Sequence, residues 1–221
     1  MSHYPAFLDL RGRAVLVVGG GDVARGKIEA LLRAEARVQV VAPSVVEPIE
    51  RLAERGAVTI VARPYGPQDV RGFQLVVAAT DDAEVNRAVS ADARRAGVLV
   101  NVVDSPELST FIAPAVLTRG DLQLAVSTSG GSPAFAAFVR DRLAELIGPE
   151  YGVALTILRG VRNRLRSEAL PLPERKRILR GLAEAGLVDR VRAGDRVAID
   201  GLLESIVGRG STLEALGVDL G

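Results

Sequence analysis

The stretch VLVVGGGDVARGKIEALL, residues 15–32, decides the fold of this chain. An apolar run is followed by Gly19, Gly21 and Ala24 in G-x-G-x-x-A spacing, and then by a helical pattern. Glycine permits a tight turn and a close backbone approach, and the N-terminus of the next helix attracts a phosphate group. The stretch therefore predicts a strand, a phosphate-binding turn and a helix, the alternative being a glycine-rich turn without a ligand.

The same alternation continues to residue 103. Further apolar runs (RVQVVA, AVTIVA, QLVVAAT and VLVNVV) follow, most of them separated by helical patterns. Continuous apolar runs indicate strands buried on both faces, and helices between strands indicate a parallel sheet. Residues 1–113 are therefore predicted to form an α/β domain, a Rossmann-type doubly wound parallel sheet that binds a dinucleotide.

The pattern changes after residue 113. Residues 114–150 contain two strand-like runs joined by a turn at 119–121, and then an amphipathic helix that begins at Pro133 after a capping Ser132. This small α+β segment carries an apolar helical stripe that needs a partner surface. Residues 151–221 are predicted to form a C-terminal helical domain.

Composition excludes several classes of protein. The chain has no cysteine, one histidine and a formal net charge of +1. This inventory excludes disulfides, thiolate nucleophiles and Cys/His zinc sites, so no metal site is predicted, and the charge balance gives no reason to expect nucleic acid. No apolar stretch approaches the roughly 18 residues that span a bilayer, so we expect no membrane contact and a cytoplasmic location.

The end of the second strand bears on the choice of cofactor. NAD enzymes often carry an acidic residue there for the ribose, whereas NADP enzymes carry a nearby arginine. Here stand Pro43 and Ser44, so backbone groups and the Ser44 hydroxyl are expected to hold the ribose or adenine. The absence of a basic residue beside Ser44 favours NAD.

Two further positions lie at the carboxyl edge of the predicted sheet, where doubly wound folds bind ligands. Thr80 follows the fourth strand and is a candidate cofactor contact, whereas Asp81 or Asp82 is expected to cap the next helix. Asp104 follows the fifth strand and precedes Ser-Pro, which is a common way to form a turn. Because no Cys or Tyr-x-x-x-Lys competes with it, Asp104 is also the leading candidate for proton transfer.

Hydroxyl side chains cluster in STSGGSPA, residues 127–134. Thr128, Ser129 and Ser132 with two glycines before a helix could bind a substrate carboxylate, or could form only a flexible link with an N-cap. Arginines are dense between residues 159 and 180, and some could also grip carboxylates, although a solvated helix face is the commoner explanation.

Several separated motifs together resemble one family. The segments YPAFLDLRGRAVLVVGGGDVARGK, AATDD, NVVD, FIAPA and STSGGSPA occur in the order and spacing of the precorrin-2 dehydrogenase family, the N-terminal modules of siroheme synthases. Some members are also sirohydrochlorin ferrochelatases. The resemblance is strong over residues 4–147 and only general beyond them.

The resemblance implies a homodimer formed through the segment after the Rossmann domain, which would make that segment a dimerisation segment. It also implies NAD at the glycine turn and an acid/base aspartate, which is Asp104 here. Asp22 and Val23 would contact the cofactor at the turn, and Pro43 and Ser44 at the end of the second strand. Relatives often continue DDPELCDFIFPA where this chain has DSPELSTFIAPA, so Ser105 replaces an aspartate and Ser109 a cysteine.

The predicted function is therefore NAD-dependent dehydrogenation of precorrin-2 to sirohydrochlorin, with Asp104 as the general acid/base. A bifunctional enzyme that also inserts Fe²⁺, as a transient substrate, into the tetrapyrrole is the first alternative. An NAD-sensing regulatory module is a remote alternative, because it gives no role to Asp104 or to STSGGSPA.

Overall fold

A computed structural model describes residues 3–220 and separates the chain into two compact units. The first unit comprises residues up to Ala113 together with Ser129–Gly131. The second comprises Pro114–Thr128 and Ser132–Gly221. A further division at residue 150 stays a prediction.

The first unit contains a five-stranded parallel sheet in the order β3-β2-β1-β4-β5. Its strands are β1 (Ala14–Val18), β2 (Arg37–Ala42), β3 (Val58–Ala62), β4 (Leu75–Ala78) and β5 (Leu99–Val102). Its helices are α1 (Asp22–Arg33), α2 (Glu47–Glu54) and α3 (Ala83–Arg95), and a 3₁₀ turn, Pro106–Leu108, follows β5. The predicted Rossmann-type fold is confirmed.

Burial on both faces explains the continuous apolar runs. Val15 and Val17 of β1 pack with Ile28 of α1, and all three are fully buried. Leu16, between them in sequence, faces the other way and packs in a cluster with Val89 of α3. Each such side chain stabilises the fold by roughly 1.5–3 kcal/mol relative to exposure, so both faces of the sheet hold a core.

The strand order changes direction at β1, which lies between β2 and β4. The chain leaves β1 into α1, which packs on one face of the sheet, and leaves β4 into α3, which packs on the other. The loops after β1 and β4 therefore diverge, and the crevice between them is where doubly wound folds bind ligands.

The second unit combines the predicted hairpin with a helical bundle. The strands β6 (Ala115–Arg119) and β7 (Leu122–Val126) pair antiparallel. The helices are α4 (Pro133–Leu146), α5 (Glu150–Ser167), α6 (Leu172–Glu184), α7 (Leu187–Ala193) and α8 (Arg196–Ile206). The fully buried Ile157 and Val161 of α5 pack in one core with Leu182 of α6 and Leu203 of α8.

Candidate functional site

The turn after β1 requires glycine at two successive positions. Gly19 has φ +125°, and a Cβ built on it would lie 2.1 Å from the carbonyl oxygen of Ala79. A Cβ on Gly20 would lie 2.1 Å from the carbonyl oxygen of Ser44. No side chain fits at such distances, so the turn touches the segments that follow β4 and β2 through bare backbone.

The third glycine of the motif has a different role. A Cβ on Gly21 would meet nothing within 4 Å, so the space before α1 is open. Gly21 is the N-cap of α1 and supplies no side-chain hydrogen bond to the helix. Uncapped N–H groups and the helix dipole make this end of α1 suited to a phosphate group. Asp22 and Val23 of the first turn are both exposed, with Val23 at 55%.

Backbone hydrogen bonds join the neighbouring loops to the glycine turn. The N–H of Gly19 donates to Val41 (3.0 Å), and the N–H of Val46 donates to Gly20 (2.8 Å). Between these two contacts, Pro43 and Ser44 lie exposed at the end of β2. The structure thus brings the predicted residues of the β1 and β2 loops together, while their contact with a cofactor stays a prediction.

Thr80 forms hydrogen bonds with Asn86 that the sequence did not predict. Its hydroxyl lies 2.9 Å from Oδ1 of Asn86, and the Asn86 amide donates to the Thr80 carbonyl (2.8 Å). The single hydroxyl proton of Thr80 is therefore occupied within the protein, although its oxygen keeps a lone pair to accept with. Asp82 caps α3 by accepting from the N–H groups of Glu84 and Val85, which confirms the capping role predicted for one of the aspartates.

Asp104 lies in a tight turn directly after β5. The N–H of Val103 donates to Ala78 at the end of β4 (2.9 Å), and the N–H of Ser105 donates back to Val102 (3.2 Å). Asp104 has φ +58° and is exposed. This left-handed conformation costs a non-glycine residue roughly 1–2 kcal/mol, and Asp and Asn tolerate it better than most.

Nothing else in the described part of the chain binds the Asp104 carboxylate. Across residues 3–220, neither a hydrogen bond nor an ion pair to it is present. Both interpretations of Asp104 thus fit the geometry, because the residue forms a turn and its carboxylate stays available at the sheet edge.

The hydroxyl-rich segment is divided between the two units. In the second unit, Ser132 caps α4 by accepting from the N–H of Phe135 (3.2 Å), and its own N–H donates to the Thr128 hydroxyl (3.0 Å). In the first unit, Gly130 lies so close to Pro106 that a Cβ would be 3.1 Å from the proline ring. Ser129, exposed and at φ +54°, therefore belongs to a segment beside the turn of Asp104.

Residues that the sequence analysis missed hold these loops in place. Asn86 fixes the turn after β4, whereas Ser90 and Arg94 of α3 bond to the segment after Asp104. The spacing of Thr80 and Asn86 within one loop-helix junction could have suggested the first contact. No local pattern signals the other two, because their partners lie 13 to 18 residues away.

The described residues hold neither a cluster of metal ligands nor a helix able to span a membrane. Among residues 3–220, the structure contains no group of three His, Asp or Glu side chains that could hold a metal ion. None of the helices described in that range has both the length and the apolar character needed to cross a membrane.

Two family models match consecutive segments of the chain between residues 6 and 146. A family described as "Putative NAD(P)-binding" matches residues 6–115, and one described as "Sirohaem biosynthesis protein central" matches residues 119–146. The siroheme synthase of Chromobacterium violaceum is 41% identical over 210 residues, and that of Nitrosomonas europaea is 40% identical over 208. The chain belongs to the siroheme synthase N-terminal family.

Coverage differs between the siroheme synthase relatives and the structural neighbour. The two alignments cover 95% and 93% of this chain but only 45% and 44% of those relatives, so the chain spans about half their length. A solved structure of SirC, a precorrin-2 dehydrogenase, matches with a TM-score of 0.77 and 27% identity. That match covers 92% of this chain and 98% of SirC, so it extends over both units.

Proposed function

We propose that this chain catalyses the NAD-dependent dehydrogenation of precorrin-2 to sirohydrochlorin in siroheme biosynthesis. The observation that carries the proposal is the exposed carboxylate of Asp104, which has no partner among residues 3–220 and lies at the sheet edge that also holds the glycine turn. One strand, β4, separates β5 from β1, so the two turns lie roughly 10 Å apart at about 4.8 Å per strand. That span suits a nicotinamide and a flat substrate between them.

The residues present fit a dinucleotide. Gly19 and Gly21 would admit the pyrophosphate to the N-terminus of α1, with Asp22 and Val23 lining its approach. Pro43 and Ser44 would contact the adenosine end, and Thr80 would contact the nicotinamide half through its remaining lone pair. The bound NAD supplies an acceptor for a hydride.

Electrostatics at the same edge favour NAD over NADP. An enzyme for NADP places an arginine near the 2′-phosphate. Arg63, directly after β3, is held by Asp69 through two hydrogen bonds of 2.8 and 2.6 Å. This guanidinium also lowers the pKa of the Asp69 carboxyl, and a 2′-phosphate would have to compete with that carboxylate for Arg63.

Asp104 supplies the base that the reaction needs. Desaturation removes a hydride from one carbon and a proton from its neighbour, and the remaining electron pair forms the new C=C bond. Bound NAD⁺ would accept the hydride, and Asp104 would take the proton. Because the side chain is exposed, it can then release the proton to water.

The substrate carries several carboxylates that must be held. Thr128, Ser129 and Ser132, with the N-terminal N–H groups of α4, are the proposed contacts for one of them.

Anaerobic turnover of precorrin-2 with NAD⁺, followed by the appearance of NADH absorbance, tests the proposal. We expect activity in the wild type and its loss in Asp104→Asn, with NAD affinity unchanged in the variant. NAD binding without turnover of any tetrapyrrole would contradict the proposal and favour an NAD-sensing module.

A second activity, insertion of Fe²⁺ into sirohydrochlorin, is compatible with the same side chain. Chelation displaces two pyrrole protons, and an exposed carboxylate can accept them in turn. Iron would be a substrate here and not a resident metal. Sirohydrochlorin with Fe²⁺, in the absence of NAD, separates a bifunctional enzyme from a dehydrogenase.

Assembly as a homodimer through β6, β7 and α4 is part of the proposal. Phe135 and Phe138 of α4 stack with ring centroids 6.0 Å apart while remaining 56% and 57% exposed. A two-stranded hairpin has little independent stability, and its outer edges invite pairing. Light scattering of wild type and Phe138→Glu tests the dimer.

We propose a cytoplasmic location, which a chain without cysteine suits.

A further inference from the structure

The hydroxyl of Ser109 bridges the two ends of the turn that carries Asp104. It accepts a hydrogen bond from the N–H of Val102, where the turn begins (2.9 Å). It also lies 3.0 Å from the carbonyl oxygen of Ser105, where the turn ends, and 3.2 Å from that of Val102. One hydroxyl proton serves one of these carbonyls at a time, so Ser109 closes the turn with one accepted and one donated bond.

Helix α3 holds the segment after the turn from the other side. Nη2 of Arg94 lies 3.1 Å from the carbonyl oxygen of Ser109 and 3.2 Å from that of Glu107. The hydroxyl of Ser90, which is 2% exposed, donates to the carbonyl of Leu108 (2.5 Å). Three successive carbonyls of this segment are therefore bound by side chains of one helix.

The segment is then attached to β5, again mainly through side chains. The Thr110 hydroxyl accepts from the N–H of Val100 (2.8 Å), and the Asn101 amide donates to the carbonyl of Phe111 (3.1 Å). The return of the chain beside β5 is thus fixed at several points. The turn of Asp104 lies at the exposed edge of the sheet.

We propose that Ser109 and Arg94 are positioning residues for Asp104, an inference that rests on the proposed function. The carboxylate has no partner of its own within residues 3–220, so its location depends on its backbone. That backbone has φ +58°, a conformation that persists only where neighbouring contacts impose it. Ser109 supplies the contact inside the turn, and Arg94 anchors Ser109 to α3.

The chain offers a matched control for Ser109. Ser105 lies in the same turn and is also partly buried, yet its hydroxyl caps nothing and forms no hydrogen bond in the described part of the chain. Ser105→Ala removes the same atoms from the same loop without removing a hydrogen bond within residues 3–220. A difference between Ser109→Ala and Ser105→Ala therefore reports the hydrogen bonds of Ser109.

Kinetics test the positioning role. We expect Ser109→Ala to lower kcat by about 10- to 100-fold, because small displacements of a reacting group have effects of this size. The KM for NAD should change by less than about twofold, since the glycine turn is untouched. Ser109→Thr should restore most of kcat, because Ser109 is extended (φ −96°, ψ 148°) and a threonine adopts this conformation while keeping the hydroxyl.

Arg94 is tested against its neighbour on α3. Arg94→Gln shortens the side chain so that it no longer reaches both carbonyls, and we expect kcat to fall by about 5- to 20-fold with the KM for NAD unchanged. Arg95→Gln is the control, because Arg95 pairs with Asp92 and not with the loop. Equal effects of the two variants would overturn the role of Arg94.

Amide hydrogen exchange of the full chain gives a readout that needs no activity. In Ser109→Ala the N–H of Val102 loses its acceptor, so its exchange should accelerate about tenfold or more, and in Ser105→Ala it should not. Unchanged exchange and unchanged kcat in Ser109→Ala would overturn the inference. A fall in kcat that Ser109→Thr does not restore would show a merely structural role and overturn it as well.

Failure of the proposed function gives a different result. If the wild type forms no NADH from precorrin-2, the proposed function is wrong, and Ser109 and Arg94 then position no catalytic residue. The exchange rates would then still decide whether Ser109 holds the turn.

Discussion

The turn after β1 and the turn after β5 lie at the same edge of one sheet but are built in opposite ways. The glycine turn exists because side chains are absent, since Gly19 and Gly20 each leave no room for a Cβ. The Asp104 turn exists because side chains are present, since Ser109 and Arg94 bind its backbone and the segment after it. The first should fail when an atom is added, and the second when an atom is removed.

The largest expected effect is at Asp104. Asp104→Gly should lower kcat by about 10²- to 10⁴-fold, the usual contribution of a general acid/base. The free energy of unfolding should change by no more than about 1 kcal/mol, because glycine relieves the strain at φ +58° but gains freedom in the unfolded chain. Precorrin-2 turnover and urea unfolding measure the two quantities.

Asp104→Asn is the control for that prediction, because asparagine keeps the shape and tolerates the same backbone conformation. It should lose the same activity with unchanged stability. An active Asp104→Gly variant would contradict the assignment of Asp104 as the base. The two turns would then differ in how they are built but not in a catalytic role.

Gly19→Ala comes next and tests the other turn. The added methyl group would lie 2.1 Å from the Ala79 carbonyl at φ +125°, so the loops after β1 and β4 must separate. We expect a loss of about 3 kcal/mol in the free energy of unfolding, together with loss of NAD binding. Denaturant unfolding and titration with NAD check it, and wild-type stability would show that the close approach is not required.

The difference between the turns also explains what the sequence could predict. Glycine spacing, apolar runs and the helix cap at Ser132 are local patterns, so the sheet, the glycine turn and the hairpin were all predicted. The position of Asp104 followed from the end of β5. The contacts that hold the Asp104 turn could not be predicted in this way, because Ser90 and Arg94 are ordinary helix residues whose partners lie far along the chain. Thr80 was assigned to the cofactor without its bond to Asn86, although that partner lies only six residues further along the chain.

A smaller effect is expected at Gly21, which sharpens the contrast within the glycine turn itself. A methyl group there meets no protein atom within 4 Å, and the backbone (φ −84°, ψ −173°) suits alanine. Gly21→Ala should therefore change the free energy of unfolding by less than about 0.5 kcal/mol. It should weaken NAD binding by about tenfold, because the methyl group occupies the space proposed for the pyrophosphate. Unchanged NAD affinity would place the cofactor elsewhere.

The smallest effect is expected at the Arg63–Asp69 pair, which lies after β3 at the same edge and belongs to neither turn. Hydrogen bonds from Arg63 lower the pKa of the Asp69 carboxyl below its usual 3.8. A carboxyl with a lowered pKa stabilises the fold above its unfolded pKa of about 3.9, and this contribution is lost as the pH falls through the folded value. Because Arg63 is about half exposed, the contribution should be no more than roughly 1 kcal/mol.

The stability difference between wild type and Asp69→Asn should thus be constant from pH 5 to 7 and shrink below about pH 4. Since the pair touches neither turn, kcat and the KM for NAD should not change, and a change in either would show that the edge acts as one coupled unit.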